Sequence, residues 1–221
     1  PGDDGYQDFF GRGAALSEDG SILVVGSPKW DSTQTNMGGV YTYRWSGSDW
    51  VQIGEVLQVT PDSSALASDM FGYSVSLTSD GLTLFVGSIG ANSDTDGAVY
   101  IYEWNSTTNS WDFNNTGISV KIDAPNTLNE IFGHDLDVSA DGTVLAVGDM
   151  RFGNSGNPSA LDIGAVHVYR YSSGSWSTSF TVSHPDPSGN NYDLFGSGVT
   201  LSADGNTLVV GALGQGTDES G

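Results

Sequence analysis

The chain has 221 residues, of which 37% are hydrophobic and 11% aromatic, enough to bury a core and too many for a disordered chain. Its 27 acidic and 6 basic side chains give a net charge of -21, which argues against nucleic acid and anionic membranes as partners. Cysteine is absent, which excludes disulfides and thiolate metal sites.

The first predicted element is a β-hairpin. Residues 11–17 and 22–27 are rich in strand-forming side chains, and Asp19-Gly20 between them is a strong signal for a tight hairpin turn. Alternating side chains predict a third strand over residues 39–45. A fourth strand begins at Trp50 and is expected to run toward residue 59.

The chain repeats this pattern about every sixty residues. A Phe-Gly pair opens each repeat, and its phenylalanines are spaced 61, 61 and 63 residues apart: Phe10, Phe71, Phe132 and Phe195. A glycine that ends the second strand follows the same spacing: Gly26, Gly87, Gly148 and Gly211. A fixed period of this length indicates a repeat architecture, and four strands per unit are typical of a propeller blade.

We therefore predict an all-β fold, a β-propeller segment of four-stranded antiparallel blades with three complete repeats and a partial fourth. The repeats are residues 1–69 with a leading connector, 70–130, 131–193 and 194–221, all within one propeller domain. We expect the four phenylalanines to be buried anchors between blades, with the glycines allowing close backbone contact. Because the chain begins in a connector without a signal peptide, it is expected to be part of a longer protein.

These motifs resemble the FG-GAP repeat of the N-terminal β-propeller of integrin α chains and of many surface proteins. The resemblance rests on the Phe-Gly pairs, on Val24 to Pro28, and on Gly97 to Tyr102, and it extends over the whole chain. It implies a propeller fold, and it leaves the activity open because propellers host unrelated functions.

The resemblance raises the question of a calcium site. Calcium-binding FG-GAP repeats carry spaced aspartates between their first two strands, whereas this chain has only short turns such as Ser17 to Gly20, whose Ser and Asp are predicted to bond backbone amides. A second candidate metal site is Asn92, Asp94 and Asp96, which alternate ahead of Gly97 as in the opening of an EF-hand loop. No glutamate follows at the twelfth position, so the alternative is a polar loop without calcium.

The loop between the second and third strands varies in length. The flanking glycines are 12, 10 and 16 residues apart in the three complete repeats. Variable loops on one face of a constant scaffold commonly recognise partners, here a protein or a glycan. Trp30 has no counterpart in the other repeats, and it either contacts a partner or folds back onto its own blade.

Catalytic motifs are few. His167 occupies a position held by Tyr41 and Tyr100, His184 lies in a connector, and His134 follows Phe132-Gly133. No motif places a nucleophile beside any of them, so we predict that the chain is not an enzyme. The alternative is a sialidase-like propeller enzyme whose site residues lie partly in further blades.

Two sequons, Asn105-Ser106-Thr107 and Asn114-Asn115-Thr116, fall on the predicted outer hairpin of the second repeat. A glycan at Asn105 or Asn114 would place the protein in the secretory pathway, outside the cell or on its surface. The sequence thus predicts a non-catalytic, surface-exposed binding, adhesion or structural module. Its remaining blades would come from the same or another chain, and a filament or coat subunit is a further alternative.

Overall fold

The structure is a computed structural model that describes residues 8–31, 36–59, 68–91, 96–113, 120–125, 131–153, 163–185 and 193–214. All regular secondary structure in these segments is β-strand, which confirms the predicted all-β class. The same segments hold no helix able to cross a membrane.

The strands form antiparallel sheets in chain order. Blade 1 consists of β1 to β4, Ala14–Leu16, Ile22–Ser27, Gly39–Trp45 and Trp50–Gln52. Blade 2 consists of β5 to β8, Phe71–Leu77, Thr83–Ser88, Ala98–Asn105 and Ser110–Asp112, and β9 (Lys121–Asp123) also pairs with β7. Blade 3 consists of β10 to β13, Phe132–Val138, Val144–Asp149, Ala165–Ser172 and Ser175–Ser183. The partial blade 4 is the hairpin of β14 and β15, Phe195–Leu201 and Leu208–Ala212. These sheets are blades of a β-propeller.

The first hairpin of each blade closes through a side-chain network. In blade 1, Ser17 Oγ donates to Asp19 Oδ1 over 2.6 Å, and the amides of Ser21 and Ile22 donate to Asp19 Oδ1 and Ser17 Oγ. Gly20 has a φ of 69°, in the left-handed region that such a turn requires. The same hydroxyl and carboxylate bonds recur in the other blades, which confirms that these turns are structural.

The first strands of the blades lie side by side, with β1 next to β5, β5 next to β10, and β10 next to β14. Repeated glycines allow this contact. A Cβ added at Gly26 would overlap the carbonyl oxygen of Gly72, and Gly87 and Gly148 meet the Phe-Gly glycines of the following blades in the same way. The period of sixty residues therefore reflects a backbone contact at each blade boundary.

The hydrophobic core lies between blades. One cluster joins Val24 and Val40 of blade 1 to Phe71 and Leu84 of blade 2. A second surrounds Phe132 between blades 2 and 3, and a third joins blade 3 to the hairpin of blade 4. Each blade thus buries its apolar faces on its neighbours, as expected for a repeat protein.

The prediction that all four phenylalanines are buried was wrong for two of them. Phe71 and Phe132 are fully buried, whereas Phe10 is 57% exposed and Phe195 is partly buried. The ring of Phe10 contacts Tyr41 of its own blade, but no described residue of a preceding blade covers it. Phe195 packs on blade 3, but its own blade is described only as a two-stranded hairpin.

The predicted fourth strand is interrupted in blades 1 and 2. After β4, Gly54 adopts a φ of 67°, and pairing resumes only at the bridge between Leu57 and Val40. In blade 2 the corresponding pairing is divided between β8 and β9. In blade 3 the fourth strand, β13, is continuous and accommodates a register shift beside Tyr169.

Candidate functional site

Four equivalent positions meet near the propeller axis. The residue after each Phe-Gly pair is Arg12, Tyr73, His134 or Ser197; Arg12 lies just before β1, and the other three lie near the start of the first strand of their blades. Because the first strands are neighbours, these side chains approach each other from different repeats. They lie at the end of the blades that carries the Phe-Gly pairs and the loops between second and third strands, here called the Phe-Gly face.

Three of these side chains form one cluster. The guanidinium carbon of Arg12 lies 4.2 Å from the centre of the Tyr73 ring, a cation–π distance. Arg12 Nη2 donates to His134 Nε2 over 3.5 Å, and the Tyr73 and His134 rings are 5.2 Å apart. Arg12, Tyr73 and His134 are called the axial cluster below.

The axial cluster holds its histidine in the neutral form. Burial, and then the charge of Arg12, lower the pKa of His134 to about 4. A neutral ring that accepts this hydrogen bond at Nε2 carries its proton on Nδ1. No described residue lies within hydrogen-bonding geometry of the buried Nδ1, although the nearby backbone of Ser197 partly opposes the fall in the pKa of His134.

Two carboxylates beside the cluster have a structural role. Asp135 Oδ2 accepts the Val199 amide over 2.7 Å, and Asp137 Oδ2 accepts the Leu201 amide over 2.8 Å. Burial raises the pKa of Asp135, although the Val199 hydrogen bond opposes the shift. Both carboxylates thus join β10 to β14.

A groove of about 400 Å³ opens beside the axial cluster, between blades 1 and 2. Arg12 and Tyr73 line it together with Lys29 and an apolar set, Phe9, Pro28, Met70 and Ile89. The ammonium of Lys29 lies 4.5 Å from the centre of the Phe9 ring. Two of the six basic residues of the chain therefore lie in one groove.

The predicted metal site falls mostly outside the described residues. Asn92 and Asp94 lie outside them, and Asp96 is buried, with its carbonyl oxygen accepting the Phe132 amide over 3.2 Å. Among the described residues no group of three or more acidic or histidine side chains is arranged to hold a metal. Calcium binding at Asn92, Asp94 and Asp96 stays a prediction.

Of the two sequons, Asn114 lies outside the described residues. Asn105 is half-buried and is the last residue of β7. Its Nδ2 donates to Asp112 Oδ2 over 2.7 Å, and its Oδ1 accepts the Thr107 amide over 2.9 Å. A glycan at Asn105 would leave one N–H on Nδ2, and its presence stays a prediction.

Trp30 is half-buried beside its own blade. A Cβ added at Gly39 would lie 2.9 Å from Trp30 Cε3, so the indole rests on the backbone at the start of β3. The backbone of Trp30 also bonds to Ser27 and Gly38. A role in partner binding stays a prediction for its remaining exposed part.

Blade 3 contains a buried polar pair. His167 Nε2 lies 3.7 Å from Asp149 Oδ2, and His167 Nδ1 lies 3.0 Å from Thr181 Oγ1. In blade 2 the equivalent positions hold Ser88 and Tyr100. Asp149 and His167 thus stand where blade 2 has Ser88 and Tyr100. Together with Thr181 they connect β11, β12 and β13 of one sheet.

The contact between His134 and Arg12 was not predicted from the sequence. The available signal was the set of residues that follow the Phe-Gly pairs, which vary while the pairs do not. Their meeting depends on the arrangement of blades around the axis.

A family model described as FG-GAP repeat matches residues 54–102. Over these residues the chain is similar to an FG-GAP repeat. The matched segment runs from the end of blade 1 through β5, β6 and most of β7 of blade 2, and so includes the Phe-Gly pair that precedes Tyr73. No curated protein matches the chain.

Solved structures with a similar arrangement include two bacterial proteins. TolB from Acinetobacter baumannii is 15% identical with a TM-score of 0.46, and the match covers 90% of this chain and 36% of TolB. The periplasmic gluconolactonase PpgL from Pseudomonas aeruginosa is 16% identical with a TM-score of 0.41, over 89% of this chain and 63% of PpgL. The chain therefore spans less than two thirds of either protein.

Proposed function

We propose that this FG-GAP repeat chain is part of a non-catalytic, surface-exposed binding module whose ligand, a protein or a glycan, contacts the Phe-Gly face. The observation that carries the proposal is the axial cluster, in which Arg12, Tyr73 and His134 of three repeats meet. The groove and the loops of variable length lie at the same end of the blades. A binding site shared by several blades needs such convergence.

The chemistry of the cluster favours binding over catalysis. A general base works best when its pKa lies near the working pH, and the lowered pKa of His134 makes it a weak base at neutral pH. Its Nε2 is also already in contact with the Arg12 guanidinium. Arg12, in contrast, presents a charged planar group that suits ligand recognition.

The proposal includes a location outside the cell or on its surface, and further blades supplied by the same or another chain. The sequons at Asn105 and Asn114 support the secretory pathway. Among the described residues β15 pairs only with β14, and its other edge and the exposed Phe10 of blade 1 offer surfaces for such blades.

The test is a binding screen with a glycan array and a peptide array. The wild type is compared with an Arg12→Ala, Tyr73→Ala double variant, and with a control that carries Glu18→Ala and Leu82→Ala at the Asp-Gly turns of the opposite face. We expect specific ligands to be lost by the first variant and kept by the control. Equal binding by all three proteins would reject the Phe-Gly face as the binding site.

A further inference from the structure

The groove between blades 1 and 2 combines an apolar wall with two cations. Phe9, Pro28, Met70 and Ile89 supply the wall, and their side chains offer no hydrogen-bonding oxygen or nitrogen atoms. The cations are Arg12 and Lys29. No carboxylate side chain lines the groove among the described residues.

Neither cation makes a salt bridge with a described residue. Arg12 rests on Tyr73 and its charge also acts on the partly buried Asp135, while Lys29 rests on Phe9. An arginine held against an aromatic ring is already oriented, so it loses little conformational entropy when it binds a carboxylate.

We propose that this groove binds a peptide segment in which a carboxylate follows a large apolar side chain. The inference rests on the proposed binding function and names its ligand class. The apolar side chain contacts Phe9, Met70 and Ile89, while the carboxylate accepts hydrogen bonds from Arg12 and pairs with Lys29. A volume of about 400 Å³ accommodates a side chain of this size together with the carboxylate.

The lining favours a peptide over an acidic sugar. A sugar ring presents hydroxyl groups on most of its edges, and the side chains of Met70, Ile89 and Pro28 offer them no hydrogen-bond partner. A leucine or phenylalanine side chain loses only its hydration there. Arg12 and Lys29 supply the charge complementarity that selects the neighbouring carboxylate.

The experiment uses fluorescent peptides titrated into the purified protein. One peptide carries Phe followed by Asp with both termini blocked, and its counterpart has Asn instead of Asp. A second pair ends in Phe with a free carboxylate or with an amide, which distinguishes a side-chain carboxylate from a chain terminus. Arg12→Gln and Lys29→Gln are compared with Arg170→Gln, which makes the same change in net charge on an exposed site of blade 3.

We expect at least one acidic peptide to bind about tenfold more tightly than its neutral counterpart, and R12Q and K29Q each to weaken it about tenfold while R170Q does not. Equal binding of acidic and neutral peptides, or no binding, would overturn the inference. Sialylated or uronate oligosaccharides that bind in an Arg12-dependent manner would overturn the peptide class but retain the proposed function. If Phe-Gly face variants alter no ligand in either array, both proposals fail.

Discussion

His134 Nε2 accepts a hydrogen bond of 3.5 Å from Arg12, although 122 residues separate the two. Burial and this cation lower the pKa of His134 from 6.5 to about 4. Between these values the unfolded chain binds a proton that the folded protein does not, so stability rises with pH across this window. We expect protonation of His134 to lower the free energy of unfolding by about 1 to 2 kcal/mol as the pH falls from 7 to 4, allowing for solvent screening.

The measurement is urea unfolding at several pH values in the wild type and in His134→Ser, which introduces the residue of blade 4 at this position. Other titrating groups affect both proteins alike, so the difference between the two curves isolates His134. A difference that does not change between pH 7 and 4 would mean that His134 has an ordinary pKa.

The four repeat phenylalanines provide a matched stability test. Phe132 is fully buried between blades, so Phe132→Ala should cost about 3 to 5 kcal/mol through lost burial and the cavity left behind. Phe10→Ala, at the equivalent exposed position, should cost less than about 1 kcal/mol. Urea unfolding of both variants measures the difference, and similar losses would contradict the described blade packing.

Glycine contacts at the blade boundaries make a second matched pair. A Cβ at Gly148 would overlap the carbonyl oxygen of Gly196, whereas a Cβ at Gly211 would meet its nearest atom at 3.5 Å. We therefore expect Gly148→Ala to destabilise the protein by about 1 to 3 kcal/mol, and Gly211→Ala to have little effect. Thermal unfolding is the readout. Equal melting temperatures for the two variants would show that blades 3 and 4 are farther apart.

The buried pair of blade 3 should be strongly coupled. His167→Ala leaves the fully buried Asp149 without its neighbouring imidazole, and we expect a loss of about 3 kcal/mol. The double variant Asp149→Ser, His167→Tyr restores the residues of blade 2 and should be more stable than His167→Ala. A double-mutant cycle of Asp149→Ser, His167→Tyr and their double variant measures this coupling. Additive effects of the two positions would rule it out.

The fold was largely predictable because each blade is specified by local signals. The turn at Asp19-Gly20 and the alternation from Gly39 to Trp45 depend on near neighbours, and the sixty-residue period then gives the repeat. The burial of Phe10 was predicted wrongly, since burial at a blade boundary depends on the adjacent blade.

The sequence did not predict the axial cluster, and the reason is related. Arg12 and His134 are connected only when the first strands of three blades converge, and no local pattern encodes that distance. The pair Asp149 and His167 likewise becomes visible only once the register of β11 and β12 is known. Contacts between repeats form the candidate site and the core, whereas contacts within a repeat specify its hairpins.

The most direct test of the axial cluster is an NMR titration of the His134 ring in histidine-labelled protein, with His134→Ser to assign its signal. We expect a pKa of about 4 in the wild type, and a higher value, still below 6.5, in Arg12→Gln, because burial is the larger cause of the shift. A wild-type pKa near 6.5 that Arg12→Gln leaves unchanged would contradict the cluster and the binding site built on it.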